Sequence, residues 1–217
     1  MLAVMNPAKR TMLLVNTPRD YYVQLHGVAG IPDKLTHAGI YGIDMSRQTL
    51  GDLYGVDIPY YVRLNFTSLV KMVDVVGDIT VESDYAFHSF QVGKNTLDSK
   101  RTLEFARERY SFSDGDRQRG RNQQKVIEAI VAKMSEPRNL TRYESILSTL
   151  QSSLQTNMSR NSIASLVKMQ LDDMKGWKVE SMSVDGAGAT RQTYSMGAMP
   201  LYASWRSEER RVGKECR

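Results

Sequence analysis

The chain has 217 residues, 41% hydrophobic and 24% charged, with 29 Lys and Arg against 24 Asp and Glu and a single Cys. That length and balance suit a folded domain and exclude a disordered chain, a collagen-like chain and a disulfide framework within the chain. No run approaches the roughly 20 apolar residues of a bilayer span, and no signal peptide is expected, because Met1 opens into Leu2-Ala3-Val4 without a basic region ahead of it.

Both ends read as cut. Residues 206–217 hold five Lys or Arg and three Glu without apolar periodicity. They are predicted to be a non-native tail, so Cys216 supports no redox inference. Without them the net charge falls from +5 to +3, too small by itself to imply nucleic acid.

Residues 2–5 and 11–16 are short apolar runs separated by Asn6-Pro7, and predict two strands. Thr17-Pro18-Arg19-Asp20 is the polar connection that follows. A short helix is expected over 46–54, capped by Asp44 or Ser46. Residues 60–65 are rich in β-formers after Pro59 and predict a strand. Leu69, Val70, Val73 and Val76 at helical spacing predict a helix over 67–76, ended by Gly77, with a strand at 79–81. Asp98 is placed as the N-cap of a helix whose apolar members are Leu103, Phe105 and Ala106.

Further on, Val126, Ile127, Ile130 and Met134 share one face of a helix over 123–134 that Pro137 stops. Leu140, Tyr143, Leu147, Leu150 and Leu154 repeat at steps of three and four, predicting one amphipathic helix. Ser159 is expected to cap another, with Ile163, Leu166, Val167, Leu171 and Met174 inward and Gly176 at its end. Residues 177–184 alternate as a late strand. Strands interleaved with helices predict a single α/β domain over 1–205, layered as an α/β/α sandwich with a central mixed sheet and helices on both faces.

Chemistry concentrates between Lys100 and Lys125, where eight Lys and Arg stand against four carboxylates. Arg107 and Arg109 diverge if both are helical but point the same way in an extended exit from a helix. The same holds for Arg117, Arg119 and Arg121. Arg119 and Gln123 share a face if the next helix begins near Arg119, and its free N–H groups would aim at the same place. Guanidinium forks with a helix N-terminus make a phosphate site; the alternative is a solvated charge run. Interruption by Gly115, Gly120, Ser and Asp, and Arg in preference to Lys, favour the phosphate site.

A second polar group, Thr17 to Tyr22, directly follows a strand, where α/β sheets commonly place a ligand crevice; equally, it is a turn with an Arg19–Asp20 surface pair. Lys34-Leu-Thr-His37 is a third group able to reach a crevice. His37 alone reads as a structural donor, and no catalytic part is assigned to His26 or His88.

Six segments occur in a characteristic order: Thr17-Pro-Arg-Asp20, Lys34-Leu-Thr-His-Ala38, Tyr61-Val-Arg-Leu-Asn-Phe66, Val73-Asp-Val-Val-Gly77, Leu103-Glu-Phe-Ala-Arg-Glu-Arg109 and Asp116-Arg-Gln-Arg-Gly-Arg-Asn-Gln-Gln124. Together they resemble the LytR–CpsA–Psr family, most of all its streptococcal capsule-biosynthesis branch. The resemblance runs from the start of the chain to the helix after Gln124, and more weakly to the late strand. It implies an α/β/α sandwich with a polyprenyl tunnel and a pyrophosphate site with Mg2+. It also implies a membrane-anchored protein whose domain lies on the extracellular face of a Gram-positive cell.

The implied activity is a phosphotransferase that moves capsular polysaccharide or a related polymer from an undecaprenyl pyrophosphate carrier to peptidoglycan, forming a phosphodiester and leaving undecaprenyl phosphate. On the matching positions, the resemblance implies that Arg19, Lys34, Arg107, Arg109 and Arg119 bind the pyrophosphate and that Gln123 helps orient it. Asp116 would sit within the site, and Asp20 would either pair with the arginines or help activate the acceptor hydroxyl. Leu64, Phe66, Leu69, Val70 and Val73 beside Val126, Ile127, Ile130 and Val131 could line the lipid channel, although the same stripes are the core pattern of any such domain.

The family's Mg2+ carboxylates and membrane segment are expected upstream of Met1, so the chain is expected to be an N-terminally truncated fragment without turnover of its own. Two further classes stand beside this one. One is a non-catalytic protein that holds the lipid-linked polymer or regulates capsule synthesis. The other is a transcriptional attenuator, for which the sequence offers neither a helix-turn-helix pattern nor an RNA module; no nucleic-acid partner is expected.

Overall fold

The computed structural model describes residues 1–204; the side chains of Asp116 and of residues 202–204 lie outside the described ones, as does the predicted tail 206–217. The chain forms two compact units. One comprises residues 1–5, 12–59 and the segment from 180 onward, and the other residues 6–11 and 60–179. The fold is α/β, as the alternation of patterns predicts. No helix among the described residues is long and apolar enough to cross a membrane.

The first unit begins with the two expected strands, β1 (Leu2–Asn6) and β2 (Thr11–Asn16). Two short strands, β3 (Tyr22–Val23) and β4 (Asp33–Lys34), pair antiparallel. Helix α1 (Leu35–Ala38), a 3-10 turn at Gly39–Tyr41 and helix α2 (Ile43–Tyr54) follow. The expected cap at Asp44 or Ser46 is displaced: α2 starts at Ile43 behind Gly42, whose φ of 110° suits glycine alone. Asp44 instead lies in the first turn, and the Ser46 hydroxyl donates to the Gly42 carbonyl.

The second unit opens with β5 (Val62–Leu64), all three of whose residues are exposed. Asn65 then caps α3 (Phe66–Val76) in a reciprocal box with Ser68, and Gly77 at φ 94° ends it as expected. Strands β6 (Ile79–Ser83) and β7 (Gly93–Leu97) pair antiparallel, with Ile79, Val81 and Ser83 alternating inward. Asp98 caps α4 (Ser99–Arg107) by accepting from the Arg101 amide, as expected. Helix α5 (Gly115–Met134) is longer than predicted at its N-terminal end by two turns.

Pro137 stands at the start of a short α6 (Pro137–Leu140), followed by α7 (Tyr143–Leu150) and β8 (Leu154–Thr156). The single helix expected from Leu140 to Leu154 is therefore split, and Leu154 is a strand residue paired with Leu64. Ser159 caps α8 (Arg160–Asp173) as expected, but the left-handed residue that ends it is Met174 (φ 50°) rather than Gly176. The Arg10 guanidinium ties residues 6–11 to α8 through Asp173 and the Met169 carbonyl, both at 2.9 Å.

On return to the first unit come β9 (Lys178–Ser183), the expected late strand, and a hairpin, β10 (Gly186–Thr193) with β11 (Gly197–Ser204), that no apolar alternation announces. The strands group as one three-stranded sheet in the order β1-β2-β9 and four two-stranded ribbons. Leu2, Val15, Tyr21, Val23, Tyr54 and Val184 form the core of the first unit. That of the second gathers α3, α4 and α5 around Val73, Phe105, Val126 and Ile130.

Candidate functional site

In the second unit the arginines are placed by what their helices bury. Helix α4 turns Thr102, Phe105 and Ala106 inward, so Arg107, one step past that face, is exposed. The helix stops there because Glu108 leaves the helical region at ψ 133°. Its last carbonyls are taken by amides of α5: Asn122 Nδ2 donates to Phe105 O at 3.3 Å and Gln123 Nε2 to Ala106 O at 3.2 Å. The Arg107 guanidinium lies over the Phe66 ring, 5.1 Å from its centroid. Arg109, also exposed, lies 4.6 Å over the neighbouring Tyr110 ring and donates to its hydroxyl.

The loop that carries Arg109 is ordered at three points. Glu108 accepts from the backbone N–H groups of Tyr110 at 2.6 Å and Ser111 at 2.8 Å, and His88 Nε2 lies 2.8 Å from its other oxygen. Phe112 enters the aromatic cluster edge-on to Phe87, centroids 5.0 Å apart. Gly115 passes so close that a Cβ there would stand 3.1 Å from the Arg109 carbonyl.

Burial would raise the Glu108 carboxyl, but the hydrogen bonds from His88, Ser111 and Tyr110 outweigh it and hold it down to about 2. A depressed carboxyl stabilises the fold fully above its unfolded value of 4.5 and loses that contribution as the pH falls toward 2. Urea unfolding is therefore expected to show lower stability at pH 2.5 than at pH 5. Glu108→Gln, with no charge to lose, should show a correspondingly shallower fall.

The remaining arginines of this window lie in α5. Of the two alternatives open for Arg117, Arg119 and Arg121, the helical one holds: all three lie inside α5 and so fan around its axis. Arg121 pairs with Asp114 and donates to Gln118 Oε1 at 2.8 Å. Arg119 and Gln123 do share a helix at the expected spacing. Asp116 falls in the first turn of α5, and its side chain lies outside the described residues. Gln123, assigned to orient the pyrophosphate, spends its amide on the Ala106 carbonyl.

The apolar stripes divide. Leu69, Val73, Val126 and Ile130 are buried core, whereas Leu64 (36% exposed) and Phe66 (42%) face out, and Val70, Ile127 and Val131 are half-buried.

In the first unit Asp20 stands between two cations. The Lys34 ammonium, itself buried, lies 3.0 Å from Asp20 Oδ1, and the exposed Arg19 approaches the same oxygen at 4.0 Å. Asp20 is thus an ion-paired carboxylate, with Lys34 as the nearer partner. Asp20 also lines an open cavity of about 410 Å³ with Gly188, Ala189, Thr190, Pro200 and Leu201 of the hairpin. His37 is the structural donor expected, on Asp33 at 2.5 Å; that buried carboxylate also accepts from Ser195 and from the Lys34 amide at 2.7 Å. Among the described residues no group of three or more His, Cys, Asp or Glu could hold a metal ion, and no step here runs through Mg2+.

Sequence reasoning missed Glu108 and Asn122. The available signal was a Glu between two arginines at a helix end, where unpaired backbone N–H groups follow.

The geometry defines an α/β domain with exposed, ordered arginines at the end of a helix. A profile of the LytR_cpsA_psr family matches residues 1–207, and the chain belongs to that family. The polyisoprenyl-teichoic acid–peptidoglycan teichoic acid transferase TagU of Enterococcus faecalis is 31% identical over 203 residues, 91% of this chain and 63% of that protein. The chain thus spans less than two thirds of the length of that curated relative.

Among solved structures, TagU of Bacillus subtilis matches with a TM-score of 0.74 at 26% identity, over 97% of this chain and 86% of that one. An Enterococcus faecalis crystal structure described as a transcriptional regulator matches with a TM-score of 0.83 at 25% identity, over 99% and 79%.

Proposed function

We propose that the chain carries the catalytic domain of a phosphotransferase that moves a glycopolymer from an undecaprenyl pyrophosphate carrier to peptidoglycan, at the outer face of the cell membrane. The cargo is capsular polysaccharide or a related polymer, such as the teichoic acid for which its relatives are named. The observation that carries the proposal is the pair Arg107 and Arg109, both exposed, the first at the end of α4 and the second on the loop that Glu108 and Phe112 order. Arg19, Lys34 and Arg119 keep, as part of the same proposal, the pyrophosphate role that family membership suggests.

In the proposed reaction an acceptor hydroxyl of peptidoglycan attacks the phosphorus next to the polymer. A new P–O bond forms, the P–O–P bridge breaks, and undecaprenyl phosphate leaves with the bridging oxygen. Charge grows on that leaving phosphate, and fixed guanidiniums stabilise it without reorganising; one such donor is worth roughly 2.7–4 kcal/mol. The hydroxyl proton goes to a carboxylate, Asp116 or Asp20. The exposed Phe66 supplies apolar surface against Arg107, as a ligand with an anionic head and a hydrocarbon tail requires.

Binding needs the arginines and not turnover, so it tests the reading directly. Titration of the chain with undecaprenyl pyrophosphate and with undecaprenol should give measurable affinity for the first and at least tenfold weaker affinity for the second, about 1.4 kcal/mol. Equal affinity for both, or affinity for neither together with a salt-dependent DNA gel shift, would overturn it.

A further inference from the structure

A carboxylate is out of place between two arginines that bind an anion. At a few ångströms it repels a phosphate about as strongly as one guanidinium attracts it. Yet Glu108 sits between Arg107 and Arg109 in sequence, with a side chain only 12% exposed. Its oxygens are taken by the N–H groups of Tyr110 and Ser111 and by the His88 ring. These bonds span the stretch on which Arg109 lies. On the other side of Glu108, Asn122 and Gln123 hold the Phe105 and Ala106 carbonyls immediately before Arg107.

The buried amides of α5 extend this arrangement. Gln118 Nε2 donates to Asn122 Oδ1 at 2.9 Å, which turns the Asn122 amide toward α4; Gln118 and Asn122 are each 1% exposed. Two exposed, rotamer-rich side chains thus spring from backbone that is fixed on both sides. Fixing the backbone removes part of the ordering cost that binding would otherwise carry.

We infer that Glu108 is a positioning residue for Arg107 and Arg109: its carboxylate, with the Asn122 and Gln123 amides, sets the backbone from which both guanidiniums reach the pyrophosphate. The inference rests on the proposed pyrophosphate role of the two arginines. Glu108 acts on the anion through the backbone it orders, not through contact of its own charge with the ligand. Glu108→Gln keeps an acceptor oxygen at the same reach, whereas Glu108→Asp keeps the charge but is one methylene short of the Tyr110 and Ser111 amides.

The experiment measures undecaprenyl pyrophosphate affinity and amide hydrogen exchange at Tyr110 and Ser111 in both variants, with Arg107→Ala as control. Glu108→Asp is expected to bind about tenfold more weakly and to exchange those two amides faster, the loss of roughly one well-placed hydrogen bond. Glu108→Gln is expected to bind within about threefold of the parent with slow exchange, a difference of roughly 0.6 kcal/mol. The opposite order, with Gln weak and Asp intact, would assign Glu108 an electrostatic role and overturn the inference, as would unchanged affinity in both. If Arg107→Ala also binds normally, the pyrophosphate reading itself fails; if only that control loses affinity, the arginines stand and the positioning role of Glu108 does not.

Discussion

Arg107→Ala, made in a chain extended by the upstream segment that the family resemblance implies, is expected to give a folded protein that attaches far less polymer to peptidoglycan. The side chain is exposed and stacks on Phe66, a cation–π contact worth about 0.5–1 kcal/mol at such a site, so the far-UV circular dichroism and the melting curve should change little. Transfer should fall by about 10²–10³-fold, the usual consequence of removing one fixed donor from a developing oxyanion. Arg109→Ala is expected to behave alike. Arg107→Lys should restore only part of the activity, because an ammonium keeps the charge but not the planar fork that meets two phosphate oxygens at once. Transfer near the parent level in both alanine variants would remove the assigned role.

Phe105→Ala is expected to have the largest effect on stability. Phe105 is fully buried, with Phe90 at 5.3 Å edge-on and Phe87 at 5.5 Å between ring centroids. Emptying a site of that size costs about 3–5 kcal/mol, set against a total domain stability of about 5–15 kcal/mol. The same ring seats the last turn of α4, two residues before Arg107, so polymer transfer should be lost with the fold and not independently of it. Urea unfolding of the variant checks this: a midpoint within a few tenths of molar of the parent would show that the aromatic cluster is not what holds α4.

The sequence was legible where the deciding chemistry is local. Asp98 and Ser159 cap helices as their side chains dictate, and Gly77 ends α3 at a positive φ. It was illegible where tertiary partners decide. The first two turns of α5 bury Gln118 and Asn122 in place of apolar residues, so hydrophobic periodicity starts only near Val126, well inside the helix. Leu154 continues the spacing of α7 but is drawn into β8 by its pairing with β5.

The lipid stripes show the same limit. Periodicity groups Leu69, Val73, Val126 and Ile130 with Val70 and Ile127, yet only burial separates core from surface, and it leaves Leu64 and Phe66 as the exposed members. The arginine-rich window was visible as a candidate site from composition alone. The job of Glu108 was not, because a carboxylate that binds backbone N–H groups leaves the same trace in a sequence as one that faces water.

The most direct test is a titration of undecaprenyl pyrophosphate against the parent chain and the Arg107→Ala/Arg109→Ala double variant at matched ionic strength. Loss of two charge-assisted contacts predicts affinity at least 100-fold weaker in the double variant, about 2.7 kcal/mol or more, with an unchanged fold. Affinities within about threefold of each other, roughly 0.6 kcal/mol, would mean that the diphosphate is held elsewhere and would contradict the account.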